Sequence, residues 1–187
     1  IMPKSIAIEK ADSLKHLIKL GRVLFHDPRL SASNQISCGT CHVPDLNWAD
    51  GRAFAKGHDH QIVPRNTPTI ENISMNTTYF WDGKASTLEE QAPHSIANPL
   101  EMNMDLKKLP KKLAKIKGYE AYFKDAYGDK HITMDRIAEA IAMYERSIVV
   151  RKSEFDKLIS GEKNRMSDEA VKGLHLFRTK ARCINCH

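Results

Sequence analysis

The sequence predicts an all-α protein, because the apolar residues of every long segment recur at intervals of three and four rather than two. A first helix is predicted from about Ser13 to Phe25, and Asp27-Pro28 should end it. Thr133 precedes a strongly amphipathic segment and Ser167 precedes the last one, where a hydroxyl side chain can cap a helix. Strands are expected to be scarce.

A long loop and a proline interrupt this helical pattern. Residues 43–65 are rich in Gly, Asp, His and Pro and have no helical period, which predicts a long loop. Long loops of this kind usually carry function. Further along, a short helix from about Leu88 to Gln91 is predicted to stop at Pro93, because proline lacks the N–H that a helix interior needs.

The composition is that of a globular protein. Of the 187 residues, 41% are hydrophobic and 28% are charged, and no apolar run approaches the roughly 18 residues that a membrane span needs. The formal net charge of +6 favours attraction to acidic partners, and no nucleic-acid-binding motif accompanies it. The sequence therefore predicts neither a membrane span nor a nucleic-acid partner.

The four cysteines fall in two Cys-x-x-Cys-His motifs, at residues 38–42 and 183–187. Two thiols at this spacing reach the two vinyl groups of a porphyrin, and the histidine that follows can ligate the iron. Disulfides would not need the histidine, a zinc site would need a second pair of ligands near each motif, and a redox dithiol would need a strand-helix context. Two c-type haems are therefore predicted, attached through Cys38, Cys41 and His42 and through Cys183, Cys186 and His187. Such attachment takes place outside the bacterial cytoplasm, which predicts a periplasmic location.

A weak internal repeat accompanies the two motifs. A glycine and a phenylalanine four residues apart occur at 21–25, upstream of the first motif, and again at 173–177, upstream of the second. Cytochrome c folds use a small residue and an aromatic at this spacing where their first helix crosses their last. The sequence thus predicts a cytochrome c-like haem domain with long loops over residues 1–150. The beginning of a second, truncated cytochrome c-like domain is predicted at 151–187.

Four segments resemble the bacterial dihaem cytochrome c peroxidases and their oxidase relatives, in order and in spacing. The segments are Leu20-Gly21-Arg22-Val23-Leu24-Phe25-His26-Asp27-Pro28-Arg29-Leu30-Ser31, Ile36-Ser37-Cys38, Pro64-Arg65-Asn66-Thr67-Pro68-Thr69 and Phe80-Trp81-Asp82-Gly83-Lys84-Ala85. The Arg-Asn-Thr-Pro-Thr and Phe-Trp-Asp-Gly motifs are specific to that superfamily. The resemblance implies that residues 1–150 form the peroxidatic haem domain and 151–187 the start of an electron-transfer haem domain.

The resemblance also implies roles for single residues. His42 corresponds to the proximal iron ligand of the peroxidatic haem, and His58 to a distal histidine that some members release before peroxide binds. His187 would ligate the second haem iron. Trp81 corresponds to a tryptophan that helps electrons pass between the haems, and Asn66 to a calcium ligand. On the residues alone, His58 could instead be an exposed loop histidine and Trp81 a core aromatic.

Cleavage of peroxide needs a group that takes a proton from one oxygen and delivers it to the other. The resemblance assigns this acid–base role to Glu101, and it assigns the orientation of peroxide to Gln91, because both keep the family's separation from Trp81. The alternative for Glu101 is an exposed glutamate on a polar turn. Met102 and Met104 are expected to pack rather than to ligate iron.

The function implied is the reduction of hydrogen peroxide to water, with electrons from a small cytochrome c or cupredoxin that enter at the second haem. A homodimer is a further expectation, since relatives often form one. Two alternatives remain open. One is the related dihaem oxidase that matures a protein-derived quinone cofactor, against which His58 argues because those relatives generally lack it. The other is an electron carrier in which both irons permanently keep two ligands.

Overall fold

The structure, a computed structural model, describes residues 12–151 and 153–186, and within these ranges it is helical. The α-helices are α1 Asp12–His26, α2 Cys38–Cys41, α3 Leu88–Ala97, α4 Leu109–Ala114, α5 Tyr119–Tyr127, α6 Met134–Ser147, α7 Glu154–Ile159 and α8 Asp168–Arg178. Short 3-10 turns lie at Pro28–Leu30, Pro44–Leu46, His58–His60, Ile73–Met75 and Cys183–Asn185. The described residues contain isolated β-bridges but no extended β-strand. The all-α prediction is confirmed.

Contacts divide the chain into two compact units, residues 1–149 and 150–187. This division falls one residue before the boundary predicted between the two haem domains, whose separate roles stay predictions. The first unit contains α1 to α6, and the second contains α7 and α8. Within the ranges that the structure describes, no helix is both long and apolar enough to cross a membrane.

The first unit is built around the crossing of α1 and α6. A Cβ atom added to Gly21 would lie 1.8 Å from the carbonyl oxygen of Ala140, so only glycine allows the two backbones to approach this closely. One turn further along α1, the ring of Phe25 meets the ring of Tyr144 edge-on, with centroids 5.2 Å apart. The first unit therefore contains the predicted crossing with its small residue and its aromatic.

Apolar faces of the five helices α1, α3, α4, α5 and α6 form the core of this unit. α3 packs on α6, and α5 packs on α1. Met102 and Met104 are buried in the same core, in agreement with a packing role. Among its fully enclosed large side chains are Leu20, Leu24, Phe25, Phe123, Ile137 and Ile141.

α1 ends at Asp27-Pro28, as predicted. The buried Asp27 carboxylate accepts hydrogen bonds from the Arg29 guanidinium at 2.8 and 2.6 Å and from the Tyr119 hydroxyl of α5 at 2.6 Å. Burial alone would raise the pKa of Asp27, but these bonds lower it below its ordinary value. The carboxylate thus stays charged and fastens the end of α1 to α5.

The prediction that the helix beginning at Leu88 stops at Pro93 is wrong. α3 continues to Ala97 with Pro93 inside it. Proline removes one backbone hydrogen bond, but Leu88, Ala92 and Ile96 lie one turn apart on a single face and are all buried. Burial of this face stabilises the helix enough for it to continue past the proline.

The second unit contains two capped helices. The Ser167 hydroxyl accepts from the Ala170 N–H at 3.2 Å, which confirms the predicted cap of α8. Ser153 caps α7 in the same way, and the sequence pattern did not reveal that helix. The described residues of this unit include no buried side chain. Several of its large apolar side chains are exposed, namely Phe155, Ile159, Val171, Leu176 and Ile184.

Replacement of Gly21 with alanine should destabilise the first unit, because the added methyl group would overlap the Ala140 carbonyl and push α1 away from α6. We expect the free energy of unfolding to fall by about 1–3 kcal/mol, as overpacking of a close-packed core typically does. Denaturant unfolding followed by circular dichroism measures the change. Arg22→Ala, at the exposed neighbouring position, is the control and should alter stability by less than about 0.5 kcal/mol. A Gly21→Ala protein as stable as the wild type would contradict this account of the crossing.

Candidate haem site

The first cysteine motif forms α2, a single helical turn from Cys38 to Cys41. The Ser37 N–H donates to Thr40 Oγ1 at 2.9 Å and the His42 N–H donates to the Cys38 carbonyl at 2.9 Å, so hydrogen bonds close both ends of the turn. One turn brings the two cysteines to the same side of the helix. Both thiols are free and partly buried. Burial raises the pKa of both, that of Cys41 to about 11, and keeps the thiols protonated.

His42 has one ring nitrogen tied to the backbone. Its Nδ1 lies 3.0 Å from the carbonyl oxygen of Trp48, which assigns the ring proton to Nδ1 and leaves a lone pair on Nε2. Burial lowers the pKa of His42 and so favours the neutral imidazole. The ring packs beside Phe25, with centroids 6.2 Å apart. A neutral imidazole held through Nδ1 is the form that binds a metal through Nε2.

His58 begins a 3-10 turn in the long loop. Its side chain is 12% exposed, with Nε2 at 3.3 Å from the Asp59 carboxylate and Nδ1 buried without a hydrogen-bond partner. Because a buried polar nitrogen without a partner is destabilising, this ring suits a further ligand. The description of an exposed loop histidine does not fit His58, although it fits His60.

The backbone around His58 lies against the segment that carries Glu101. The His58 N–H donates to the Glu101 carbonyl at 2.8 Å. A Cβ atom on Gly57 would lie 2.0 Å from the Leu100 carbonyl oxygen, so no larger residue fits there without a shift of the backbone. The structure thus brings together the predicted distal histidine and the predicted acid–base glutamate.

The Glu101 side chain is partly buried, so the exposed-turn alternative does not describe it. Burial raises the pKa of Glu101, and hydrogen bonds from Ser95 and from Asn98, the latter at 2.7 Å, reduce the rise without cancelling it. After burial itself, the charge of Glu101 also contributes to the raised pKa values of Cys38 and Cys41. This carboxyl therefore lies within electrostatic reach of both cysteines.

Gln91 reaches the same cluster from α3. Its Nε2 donates to Ser95 Oγ at 3.0 Å, and Ser95 in turn bonds to Glu101. Ser95 therefore joins the predicted orienting residue to the predicted acid–base residue. Sequence reasoning missed Ser95, and the available signal was its position one helical turn after Gln91.

Trp81 is 64% exposed and is therefore not a core aromatic of the described chain. Its Nε1 donates to the Asn66 carbonyl at 2.9 Å, and beside them Arg65 and Asp82 form an ion pair at 3.0 Å. The Arg-Asn-Thr-Pro-Thr and Phe-Trp-Asp-Gly motifs thus contact each other. The Asn66 side chain donates from Nδ2 to the Arg52 carbonyl at 2.5 Å, which leaves its oxygen as the atom that could bind calcium.

The second cysteine motif forms the 3-10 turn Cys183–Asn185 of the second unit. The Cys186 N–H donates to the Cys183 carbonyl at 3.1 Å, and both thiols are free. His187, the predicted ligand of the second haem iron, lies outside the described residues.

A second buried carboxyl, which sequence reasoning missed, lies on α6. Glu145 is 5% exposed, and its Oε2 is enclosed without a hydrogen-bond partner. Burial raises the pKa of Glu145 to about 8. Ala138, Ile141 and Ile148 share its buried face at helical spacing. The available signal was a glutamate at a position where the helical pattern calls for an apolar residue.

These features fit a covalently attached haem. The first motif supplies two free thiols on one side of a turn and a histidine with an available Nε2, and the loop supplies a second buried imidazole. A zinc site would need more ligands near the motif. Across residues 12–151 and 153–186, no group of three or more His, Cys, Asp or Glu side chains could hold a metal ion.

Comparison with known proteins points to the same cofactor. Residues 15–164 match the di-haem cytochrome c peroxidase family. The chain is 40% identical over 184 residues, 98% of its length, to a cytochrome c551 peroxidase of Nitrosomonas europaea. It is also 40% identical over 170 residues, 90% of its length, to the methylamine utilization protein MauG of Methylophilus methylotrophus.

The chain spans about half the length of these relatives, 54% of the first and 51% of the second. Its fold is similar to the crystal structure of a MauG-like protein associated with microbial copper homeostasis. That superposition has a TM-score of 0.82 at 26% identity and covers 95% of this chain and 52% of the other. The family match and the identity to these relatives show that the chain belongs to the di-haem cytochrome c peroxidase family, which implies haem c as its cofactor.

Proposed function

We propose that the protein is a periplasmic dihaem peroxidase that reduces hydrogen peroxide to water beside a haem attached to Cys38 and Cys41. The observation that carries the proposal is Glu101, a partly buried carboxyl that accepts a hydrogen bond from Asn98 and has a raised pKa, within electrostatic reach of both cysteines. A raised pKa brings a carboxyl closer to neutral pH, where the group can both accept and return a proton. The periplasmic location follows from where bacteria attach c-type haem.

The haem, when bound, would supply the redox chemistry for peroxide reduction, and His42 would hold its iron through Nε2. Reduction of one peroxide molecule consumes two electrons and two protons and yields two molecules of water. Glu101 takes the proton from the peroxide oxygen nearer the iron and returns it to the farther oxygen, which leaves as water. The hydrogen bond from Asn98 holds the carboxylate in place during this transfer.

Gln91 orients the substrate. Because its amide nitrogen donates to Ser95, its amide oxygen is turned away from that bond and can accept the O–H of peroxide. The same serine bonds to Glu101, so the two groups that meet peroxide are held relative to each other. Fixed placement of this kind lowers the entropy lost when the substrate is aligned.

The loop that carries His58 acts as the gate of the site. In this proposal His58 would be a residue that holds the iron of the resting enzyme, and its loop would have to move before peroxide binds. Because the His58 N–H is bonded to the Glu101 carbonyl, departure of the loop also changes the segment that carries the acid–base residue. The buried Nδ1 without a partner supports a ligand role for this ring.

Electrons are proposed to enter at a second haem held by Cys183, Cys186 and His187, from a small cytochrome c or cupredoxin. Trp81 then helps them pass to the first haem, and the exposure of its ring supports this role. The Asn66 carbonyl fixes the indole nitrogen in this arrangement. The Asn66 side-chain oxygen is the calcium ligand of the proposal, and a homodimer is its expected assembly.

The second candidate is an oxidase that matures a protein-derived quinone cofactor, and the 40% identity to a MauG protein favours it as much as the other relative favours the peroxidase. His58 supports the peroxidase instead, because those oxidases generally lack a distal histidine. Spectra of the oxidised and of the one-electron-reduced protein separate the peroxidase from the electron carrier. A high-spin signal that appears only after one-electron reduction indicates the peroxidase, whereas low-spin iron throughout and no peroxide turnover indicate the carrier.

Glu101→Gln should lower the turnover of peroxide by about 10²–10⁴-fold, because glutamine keeps the shape of the side chain but cannot accept the proton. Stopped-flow kinetics of the full-length dihaem enzyme with a reduced donor protein measures the rate. In the wild type, turnover should rise as the pH passes upward through the raised pKa of Glu101, above the ordinary 4.5, and the variant should lose this step. Glu120→Gln, an exposed glutamate on α5, is the matched control. Unchanged turnover in Glu101→Gln would remove the observation on which the proposal depends.

Gly57→Ala should displace the loop that carries His58 while His58 itself is kept. The new methyl group would overlap the Leu100 carbonyl and push the loop away. We expect the resting oxidised enzyme to gain a high-spin signal that the wild type lacks, as measured by electron paramagnetic resonance. Lys56→Ala, at the exposed preceding position, should leave the spectrum unchanged. A Gly57→Ala spectrum identical to the wild type would contradict iron ligation by His58.

A further inference from the structure

Glu145 takes no part in the reaction proposed above. We infer that Glu145 is a proton-holding residue of the first haem pocket, which binds a proton when an electron is added there and releases it when the electron leaves. Glu145 acts by changing the charge near the haem, and it is not a catalytic residue. The inference rests on haem attachment at Cys38 and Cys41 and does not require peroxide turnover.

The burial of Glu145 disfavours its charged form. The residue is 5% exposed, and Oε2 is enclosed without a partner. An ionised carboxylate in such surroundings loses the hydrogen bonds that water would give it, and nothing in the described chain replaces them at that oxygen. A protonated carboxyl carries no net charge and is far easier to bury. Glu145 is therefore a group that changes its proton, rather than its position, when nearby charge changes.

Among the residues that the structure describes, the cation that acts on Glu145 is Arg146, and it is already paired. Arg146, the next residue of α6, donates to both carboxylate oxygens of Glu89 on α3, at 2.5 and 2.7 Å, so the ion pair offsets the guanidinium charge. Tyr79, from the loop before α3, has a raised pKa because of its burial and stays neutral. Burial outweighs the attraction of Arg146, and Glu89 adds repulsion, which together set the pKa of Glu145 at about 8.

Glu145 also lies near the haem attachment, because Cys38 packs against the same apolar core as Ile141 and Tyr144, which precede Glu145 on α6. After burial, its charge is the largest contribution to the raised pKa of Cys38, the thiol that would join the porphyrin edge. An oxidised haem core carries one more positive charge than a reduced one, and positive charge nearby favours the carboxylate. The proton affinity of Glu145 is therefore lower beside the oxidised haem and higher beside the reduced one.

The step balances in charge and in atoms. When the bound haem gains one electron supplied by the donor protein, the Glu145 carboxylate would take up one proton from the bulk solvent and become a carboxylic acid. The net charge of the buried pocket is then unchanged. Because charge separation is strongly disfavoured in a low-dielectric interior, this proton makes the addition of the electron easier. The uptake takes place at pH values between the lower pKa of Glu145 beside the oxidised haem and its higher pKa beside the reduced haem.

The test is a spectroelectrochemical titration of the full-length dihaem protein from about pH 6 to about pH 9, for the wild type and for Glu145→Gln. We expect the midpoint potential of one haem to fall with rising pH in the wild type, with a slope that approaches one proton per electron. Glu145→Gln should abolish that slope, because its amide cannot titrate. The other haem serves as an internal reference and should behave alike in both proteins. Glu139→Gln, exposed on the same helix, is the matched control and should keep the slope.

Infrared difference spectra, reduced minus oxidised, give a second measurement. A purely structural role of Glu145 would produce no change in these spectra. The wild type should gain a carboxylic C=O band on reduction, and Glu145→Gln should lack it. A wild-type protein without any pH slope, or a slope that survives in Glu145→Gln, would overturn the inference. If Glu145→Gln does not fold, the wild-type slope and band decide the question alone. An enzyme that fails to reduce peroxide would still show both, so the peroxidase proposal and this inference fail separately.

Discussion

The close contact of α1 and α6 at Gly21 is the constraint on which the haem site depends. Because the two helices meet backbone to backbone, Phe25 on α1 and Tyr144 on α6 stack edge-on, and both pack against Trp48 with ring centroids 6.2 and 6.3 Å away. Because Gly21 has no side chain, α1 and α6 come close enough for these three aromatic rings to pack together. The Trp48 carbonyl beside these rings holds Nδ1 of His42, so that Nε2 is the available nitrogen.

A second close backbone contact positions the part of the site that contains His58 and Glu101. At Gly57 the loop touches the Leu100 carbonyl, and the next residue bonds to the carbonyl of Glu101. Both contacts need glycine because a Cβ atom would meet a backbone oxygen, which cannot move away as a flexible side chain can. The site is therefore built on two places where the main chain itself is closely packed.

Features that depend on neighbours along the chain could be predicted from the sequence. The helical faces, the caps at Thr133 and Ser167, the turn of the first cysteine motif and the use of Gly21 all follow local patterns. The rest depends on contacts between distant segments. Pro93 is carried inside α3 by burial against other helices, and Glu145 is buried only because α6 is covered on that face. Propensity and spacing do not contain such information, since tertiary burial overrides them.

Glu101 and Glu145 are both carboxyls whose pKa is raised by burial, and they differ in a way that separates their tasks. Glu101 receives hydrogen bonds from Asn98 and Ser95 that compensate its charge, whereas Glu145 has an oxygen with no partner. The folded state binds the Glu145 proton more tightly than the unfolded chain does between pH 4.5 and about 8. Its contribution to stability is therefore complete below that window and is lost as the pH rises through it. A group that weakens the fold at neutral pH, at a position where a leucine or glutamine would pack, is hard to explain by stability and is better explained by the proton it holds.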